Sequence, residues 1–265
     1  MKIKCISLPG AVEKRKHMTE LLDKTGLEWE FVDAYDGSQI KVIDQKIYYN
    51  DVFTGWYHDS SVVLTDQIEQ FARLHYRKYW NIPYISDVSV YIEDGGTVAW
   101  IEKGGIRQFS INANYFRRYM NMYEIGCALT HFEVMRAITE PTLVVGDNVY
   151  LVGNLEHILE RAKWYDLLWD IVFLNIPGYG GNPGYIEPGT LATFSDEFDI
   201  HVYSHFSSTC SYIVKENLFT NVNTINLPLD DYFSRRVDLI LLRVKEPVFM
   251  ADYTGVSGES TIDLE

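Results

Sequence analysis

The sequence has far fewer basic residues than acidic ones. Its 23 Lys and Arg stand against 37 Asp and Glu, and the formal net charge at pH 7 is −14 over 265 residues. Nucleic-acid backbones and anionic membranes are bound by clustered Lys and Arg, and a surface of this charge repels both on average. We therefore expect no nucleic-acid partner and no anionic membrane partner.

Cysteines and long apolar runs are also scarce. Cys5, Cys127 and Cys210 lie far apart in the chain, which fits neither a disulfide framework nor a cysteine-based zinc site. No apolar stretch approaches the ~18 residues of a membrane-spanning helix, and the first apolar run is broken by Pro9-Gly10. We expect no signal peptide, no transmembrane segment and a cytoplasmic location.

The chain is rich in aromatic residues, which make up 14% of it, within a hydrophobic share of 47%. This composition is typical of a globular protein with a sizeable core. Aromatic side chains also suit clefts that receive planar or polyhydroxylated ligands, although they are more often simply part of the core.

The first forty residues predict a βαβ unit. A strand over residues 3–8 is broken by Pro9-Gly10, an amphipathic helix over 12–24 is closed by Gly26, and a second strand covers 29–32. Such a unit implies a parallel sheet whose ligand-binding loops follow the carboxyl ends of the strands. Those loops are residues 9–15 and 33–37.

Residues 38–122 interrupt this α/β pattern. Thr65 can cap a helix that extends to Tyr79, and two glycine turns separate three strands of a small antiparallel sheet over 88–111. We interpret the block as an insertion in one domain of residues 1–265. It can serve as a lid or an acceptor platform, or simply elaborate the structure, and it is the first candidate for a homo-oligomer interface.

After residue 122 the α/β pattern returns. We predict helices over 124–138, from Asn154 to Ala162 and over 216–222, strands over 142–145, 170–175, 201–203 and 209–214, a glycine-rich loop over 176–188, and an irregular tail from Glu246.

Four features lie in a fixed order on this frame. Arg15 follows the first strand, Ala34-Tyr35-Asp36-Gly37 follows the second, the run YEIGCALTH begins a helix, and a later strand ends at Gly146-Asp147-Asn148. In this order they resemble glycosyltransferase family 25, which includes bacterial lipopolysaccharide galactosyltransferases and collagen hydroxylysine galactosyltransferases. The family's first strand ends in Asn-Leu, and Ser7-Leu8 stands at that place in this chain. Looser matches are Trp169-Asp170, Pro228 with Asp230, and Ser257.

The resemblance implies a GT-A-type fold, with a Rossmann-like mixed, mainly parallel sheet flanked by helices. It implies transfer of galactose or glucose from a UDP-sugar to a hydroxyl of a glycan or of a hydroxylysine-type protein, with inversion. The residues it assigns to donor binding are Ser7, Leu8, Pro9, Arg15, Asp33, Ala34, Tyr35, Asp36, Glu124, Gly126, Thr130, His131, Asp147 and Asn148.

The resemblance places the catalytic carboxylate at Asp230, with Asp231 as the second candidate. A carboxylate suits the general base that inversion requires. Other interpretations of these residues remain open, because an Asp here can cap a helix, Arg15 can be a solvated surface charge, and His131 can be a buried structural histidine.

One departure from the family concerns the metal. Family members carry Glu-Asp-Asp where this chain has Gly146-Asp147-Asn148, so two carboxylates are lost. Mn²⁺ and Mg²⁺ prefer several anionic oxygen ligands, and Asp147 with Asn148 is a weaker set. The need for Mn²⁺ or Mg²⁺ stays open, and the alternative is an inactive relative that binds a sugar, a nucleotide or a partner. A phosphate-ester hydrolase or nucleotidyltransferase is a weaker third candidate.

Overall fold

The structure is a computed structural model and describes most of the chain. The described residues are 1–57, 87–93, 96–103, 106–112, 120–175, 191–201, 210–216, 218–219, 224–225, 229–234 and 239–251. They form two compact units, the first comprising Met1–Asp36, Gly126–Val222 and Leu229–Glu265, and the second Gly37–Ile125 and Asn223–Pro228. The second unit has almost the bounds of the predicted 38–122 block.

The helices, in chain order, are α1 (Val12–Leu22), α2 (Met122–Arg136), α3 (Leu155–Trp164) and α4 (Leu229–Ser234). The strands are β1 (Lys2–Ser7), β2 (Trp29–Asp33), β3 (Ile40–Ile43), β4 (Lys46–Tyr49), β5 (Val52–Tyr57), β6 (Asp87–Glu93), β7 (Gly96–Lys103), β8 (Ile106–Asn112), β9 (Thr142–Gly146), β10 (Val149–Leu151), β11 (Ile171–Phe173), β12 (Leu191–Thr193), β13 (Phe198–His201), β14 (Ser211–Val214), β15 (Thr224–Ile225), β16 (Leu241–Val244) and β17 (Phe249–Ala251).

The predicted βαβ unit is confirmed at its position in the sequence. β1 pairs in parallel with β2, and α1 connects them. The connection continues through a short 3₁₀ turn to Gly26, whose φ of 67° is the left-handed conformation that glycine adopts without strain.

The first unit is built on an eight-stranded mixed sheet in the order β12-β13-β16-β11-β14-β9-β1-β2. All its strands run in one direction except β13 and β14, which pair antiparallel with both of their neighbours. The α/β class and the mixed, mainly parallel sheet are therefore as predicted, and they are compatible with a Rossmann-like fold.

Both faces of this sheet are covered by apolar side chains. On one face, Ile3, Leu143 and Val172 pack in a core with Met18 of α1 and Ile158 of α3. The other face carries aromatic side chains from the strands and helices, including the contacts of Tyr212 and Phe173 with Phe233 of α4, at ring-centroid distances of 5.6 and 5.8 Å. Strands buried on both faces explain the nearly continuous apolar runs at 143–145 and 171–174.

The second unit contains two small sheets. The predicted antiparallel meander is present as β6-β7-β8, whereas β3-β4-β5, joined by β15, was not predicted. The turns of the β3-β4 and β4-β5 hairpins place Asp44-Gln45 and Asn50-Asp51, respectively, at positive φ. Asn and Asp tolerate this conformation, and Gln45 adopts it beside Asp44, so the turns form without glycine. The predicted helix from Thr65 to Tyr79 lies outside the described residues.

Three boundaries differ from the sequence prediction. The tail from Glu246 is not wholly irregular, because β17 pairs antiparallel with β10. Within 216–222, the described residues Glu216, Leu218 and Phe219 form turns instead of a helix. The strand predicted over 201–203 corresponds to β13, which begins earlier, at Phe198. The loop 176–188 and Ser257 lie outside the described residues.

In the part of the chain that the structure describes, every helix is too short or too polar to cross a membrane.

Candidate functional site

The candidate site lies where the order of the parallel strands reverses. β1 is flanked by β2 on one side and by β9 on the other, and all three are parallel. The chain leaves β1 through α1 to reach β2 and returns much later to β9, so the connections diverge from the carboxyl end of β1. In open α/β sheets this divergence creates the crevice in which ligands bind.

Arg15 ties together the ends of β1 and β2. Its guanidinium donates to the carbonyl oxygens of Ser7 (3.0 Å) and Leu8 (3.1 Å) and forms an ion pair with Asp33. The guanidinium carbon also lies 4.7 Å from the centre of the Phe31 ring. These contacts exclude the interpretation of Arg15 as a freely solvated surface charge, because they join the end of β1 to the end of β2.

Asp147 is held at the end of β9 by two residues that come much earlier in the chain. The Ser7 hydroxyl donates to Asp147 Oδ2 at 2.7 Å, and Lys14 Nζ lies 3.9 Å from Oδ1. Beneath them, burial and, to a lesser extent, the charge of Asp147 raise the pKa of the Cys5 thiol to about 12. Cys5 is therefore a protonated core residue and not a nucleophile.

The loop after β2 is fixed by α2. The backbone N–H of Tyr35 donates to Thr130 Oγ1 at 2.9 Å, and the Thr130 hydroxyl donates to the carbonyl of Gly126 at 2.8 Å. The Tyr35 hydroxyl also donates to Glu133 Oε1 at 2.7 Å. Ala34 N–H donates to the Ser7 carbonyl at 2.9 Å, which joins this loop to the end of β1.

His131 is buried, with 6% of its surface exposed. Its Nδ1 lies 2.7 Å from the hydroxyl of Tyr212, and the two rings stack at 5.7 Å. Burial lowers the pKa of the imidazole to about 4, so the ring is neutral at pH 7. These contacts favour the structural interpretation of His131 over direct contact with a ribose or a diphosphate.

Glu124 closes the start of its helix. Asn121 N–H donates to Glu124 Oε2 and Glu124 N–H donates to Asn121 Oδ1, each at 2.9 Å. This reciprocal pair is a capping box, which satisfies two donors at a helix start. The spacing of Asn and Glu three residues apart is visible in the sequence and could have identified this role.

The end of β9 offers a metal ion few ligands. Asp147 supplies the one carboxylate of residues 146–148, and Ser7 already donates to it. A Cβ atom at Gly146 would lie 3.3 Å from Asn148 Oδ1. Within the described ranges, no three His, Cys, Asp or Glu side chains are grouped so that they could hold a metal. The set fits Mn²⁺ or Mg²⁺ poorly by itself, so an ion here would need oxygen ligands from a bound diphosphate.

The remaining predicted residues lie in the loops after β1 and β2 and in α4. Leu8 is exposed and Pro9 lies in the turn that leads to α1, while Asp36 ends the loop after β2. Asp230 and Asp231 are the second and third residues of α4. They are inside the helix and not before it, so neither is in the capping position.

The sequence analysis missed two residues of the site, Lys14 and Glu133. Glu133 lies three residues after Thr130 on the same face of α2, which is a signal visible in the sequence. Lys14 is adjacent to Arg15, and adjacent helix residues do not share a face, so it had no such signal. Lys14 adds a second cation beside Arg15, and Glu133 holds the Tyr35 ring.

No protein-family model matches the chain, and no curated protein matches it.

Proposed function

We propose that this protein is a glycosyltransferase that moves galactose or glucose from a UDP-sugar to a hydroxyl of a glycan or of a hydroxylysine-type protein, with inversion. The observation that supports it is the convergence of distant motif residues at one sheet edge, where Ser7 contacts Asp147, Arg15 contacts Asp33 and Thr130 contacts Tyr35. The family 25 resemblance supplies the chemistry. A GT-A-type fold, a cytoplasmic location and a homo-oligomer belong to the same proposal.

In this proposal the donor lies across the ends of β1 and β2. The uracil enters between the loops 7–9 and 33–36, whose backbone groups supply hydrogen bonds. Lys14 and Arg15 are the cations of this edge, and they stabilise the negative charge that grows on the leaving UDP. Lys14 already contacts Asp147, and Arg15 already contacts Asp33. Donor binding therefore requires Lys14 to leave Asp147 and to contact a phosphate oxygen instead.

The transfer step needs one proton acceptor. The acceptor hydroxyl gives its proton to the carboxylate of Asp230 or Asp231, and its oxygen bonds to the anomeric carbon. The bond between that carbon and the UDP oxygen breaks, and UDP leaves with the electron pair. No step here requires His131, whose ring faces Tyr212.

The alternative is a non-catalytic relative that binds a sugar, a nucleotide or a partner. The observation that favours it is the single carboxylate of residues 146–148, which is paired with Ser7 and Lys14.

The transferase turns over a UDP-sugar, whereas the binding module does not. We would measure UDP release from UDP-galactose and UDP-glucose with glycan and hydroxylysine-peptide acceptors. A transferase releases UDP only when an acceptor is present, and Asp230→Asn or Asp231→Asn abolishes the release. The exposed Glu216→Gln is the matched control and retains it.

A second variant tests the alternative. Gly146→Glu with Asn148→Asp restores the two carboxylates of the family pattern. Among the described residues, a Cβ at position 146 lies 3.3 Å from Asn148 Oδ1 and 3.7 Å from the Cys210 carbonyl oxygen. Release in this double variant but not in the wild type would overturn the transferase proposal and support the binding module.

A further inference from the structure

Arg243 lies in a row of residues that crosses the large sheet. The aligned positions on adjacent strands are Val144, Tyr212, Phe173, Arg243 and Asp199. Aligned residues point to the same face, so Arg243 projects from the aromatic face of the sheet. Val144 precedes Asp147 by three residues, which places Arg243 near the same carboxyl edge as the candidate donor site.

The Arg243 side chain is buried, and one of its guanidinium donors has no hydrogen-bond partner. Its exposure is 5%, its Nε has no hydrogen-bond partner, and no described residue forms an ion pair with it. A buried N–H donor without an acceptor is costly, and this one belongs to a permanently charged group. Burial lowers the pKa of Arg243, and only the nearby charge of Asp199 opposes this effect.

The surrounding charges leave this position electropositive. Asp199 is the single carboxylate aligned with Arg243, and it also lies 3.8 Å from Lys245 Nζ. Lys245 Nζ donates in addition to the Ser195 carbonyl at 2.5 Å. Two cations therefore share one carboxylate, and an anion would complete the charge balance.

The position of Arg243 separates it from the donor site. β16 is three strands from β9, and strands lie about 4.8 Å apart, so the two are separated by about 14 Å. A diphosphate at Asp147 cannot reach Arg243 over that distance. Phe173, the strand neighbour of Arg243, instead packs against Phe233 of α4, the helix that carries Asp230 and Asp231.

We propose that Arg243 binds an anionic group, a carboxylate or a phosphate, of the acceptor. The identification of the ligand as the acceptor rests on the proposed transferase function, whereas the anion site itself does not. A planar guanidinium binds either group through two parallel hydrogen bonds, which fixes the orientation of the ligand as well as its charge.

The test uses inorganic phosphate as the probe. Citrate tests whether a carboxylate binds at the same place, and UDP tests the donor site separately. Thermal unfolding and calorimetric titration compare the wild type with Arg243→Met, Arg243→Lys and the exposed control Lys163→Met. We expect phosphate or citrate to raise the Tm of the wild type and of the control, and to leave Arg243→Met unchanged. Arg243→Lys, which retains the charge without the planar donors, should bind the anion at least tenfold more weakly.

The unliganded proteins give a second readout. Because methionine has a similar volume and no charge to bury, Arg243→Met should unfold at the same temperature as the wild type or at a higher one. A marked fall in Tm, or equal anion binding by Arg243→Met and the wild type, would overturn the inference. UDP affinity should be equal in all four proteins, and its loss in all of them would contradict the transferase proposal and not the anion site.

Discussion

Thr130 provides the sharpest test of how the candidate site is held together. Its hydroxyl accepts from the Tyr35 N–H at 2.9 Å and donates to the Gly126 carbonyl at 2.8 Å, and the side chain is 1% exposed. Thr130→Val keeps the shape and removes the hydroxyl, which leaves a partly buried N–H without its acceptor. We expect a loss of about 1–2 kcal/mol in the free energy of unfolding.

The matched control is Thr130→Ser, which keeps both hydrogen bonds and loses one buried methyl group, at a cost of about 1 kcal/mol. Urea unfolding gives the free energies, and titration with UDP reports on the loop over 34–36. The serine variant should bind UDP as the wild type does, whereas the valine variant should bind it several-fold more weakly. Equal UDP affinity in the two variants would refute the claim that Thr130 positions this loop.

Two further predictions concern a pH dependence and a close packing contact. The lowered pKa of His131, about 4 against an ordinary 6.5, means that the unfolded state takes up a proton first, so stability falls as the pH drops from 6.5 toward 4, by up to about 3 kcal/mol. Urea unfolding at a series of pH values should show that His131→Gln removes this dependence of stability on pH. An unchanged dependence would mean that other groups cause it. Gly37→Ala would bring a Cβ to 2.6 Å from the Tyr123 Cα and should lower the Tm, at a cost of about 1–3 kcal/mol. Gly10→Ala, where nothing lies within 4 Å, should leave the Tm unchanged, and equal effects of the two would contradict the packing argument.

The sequence predicts the first unit well because its signals are local. Apolar runs bounded by glycine and proline set β1, α1 and β2, and Asn154 caps α3 by accepting from the His157 N–H at 3.0 Å. The hairpins of β3, β4 and β5 were missed because Asp44-Gln45 and Asn50-Asp51 adopt the turn conformation without glycine. β17 was missed because a short strand is defined by its partner β10, which is distant in sequence.

Several residues that the sequence assigned to one site lie together in the structure, but their contacts could not be predicted. Local patterns locate Arg15, Thr130 and Asp147, but they do not show which partner each side chain finds. The contact of Ser7 with Asp147 joins residues 140 positions apart, and that of His131 with Tyr212 joins residues 81 apart. Such contacts depend on strand order, which periodicity does not encode.

The central claim is that the carboxyl ends of β1 and β2 bind a UDP-sugar, and calorimetric titration of UDP, UDP-galactose and UDP-glucose tests it most directly. Each titration is run with Mn²⁺ and with a chelator, on the wild type, on Arg15→Met and on its exposed neighbour variant Lys16→Met. We predict micromolar binding by the wild type and by Lys16→Met, and binding at least tenfold weaker by Arg15→Met, which corresponds to about 1.4 kcal/mol or more. Failure of the wild type to bind any of the three nucleotides under either condition would contradict the account, as would equal binding by Arg15→Met and the wild type.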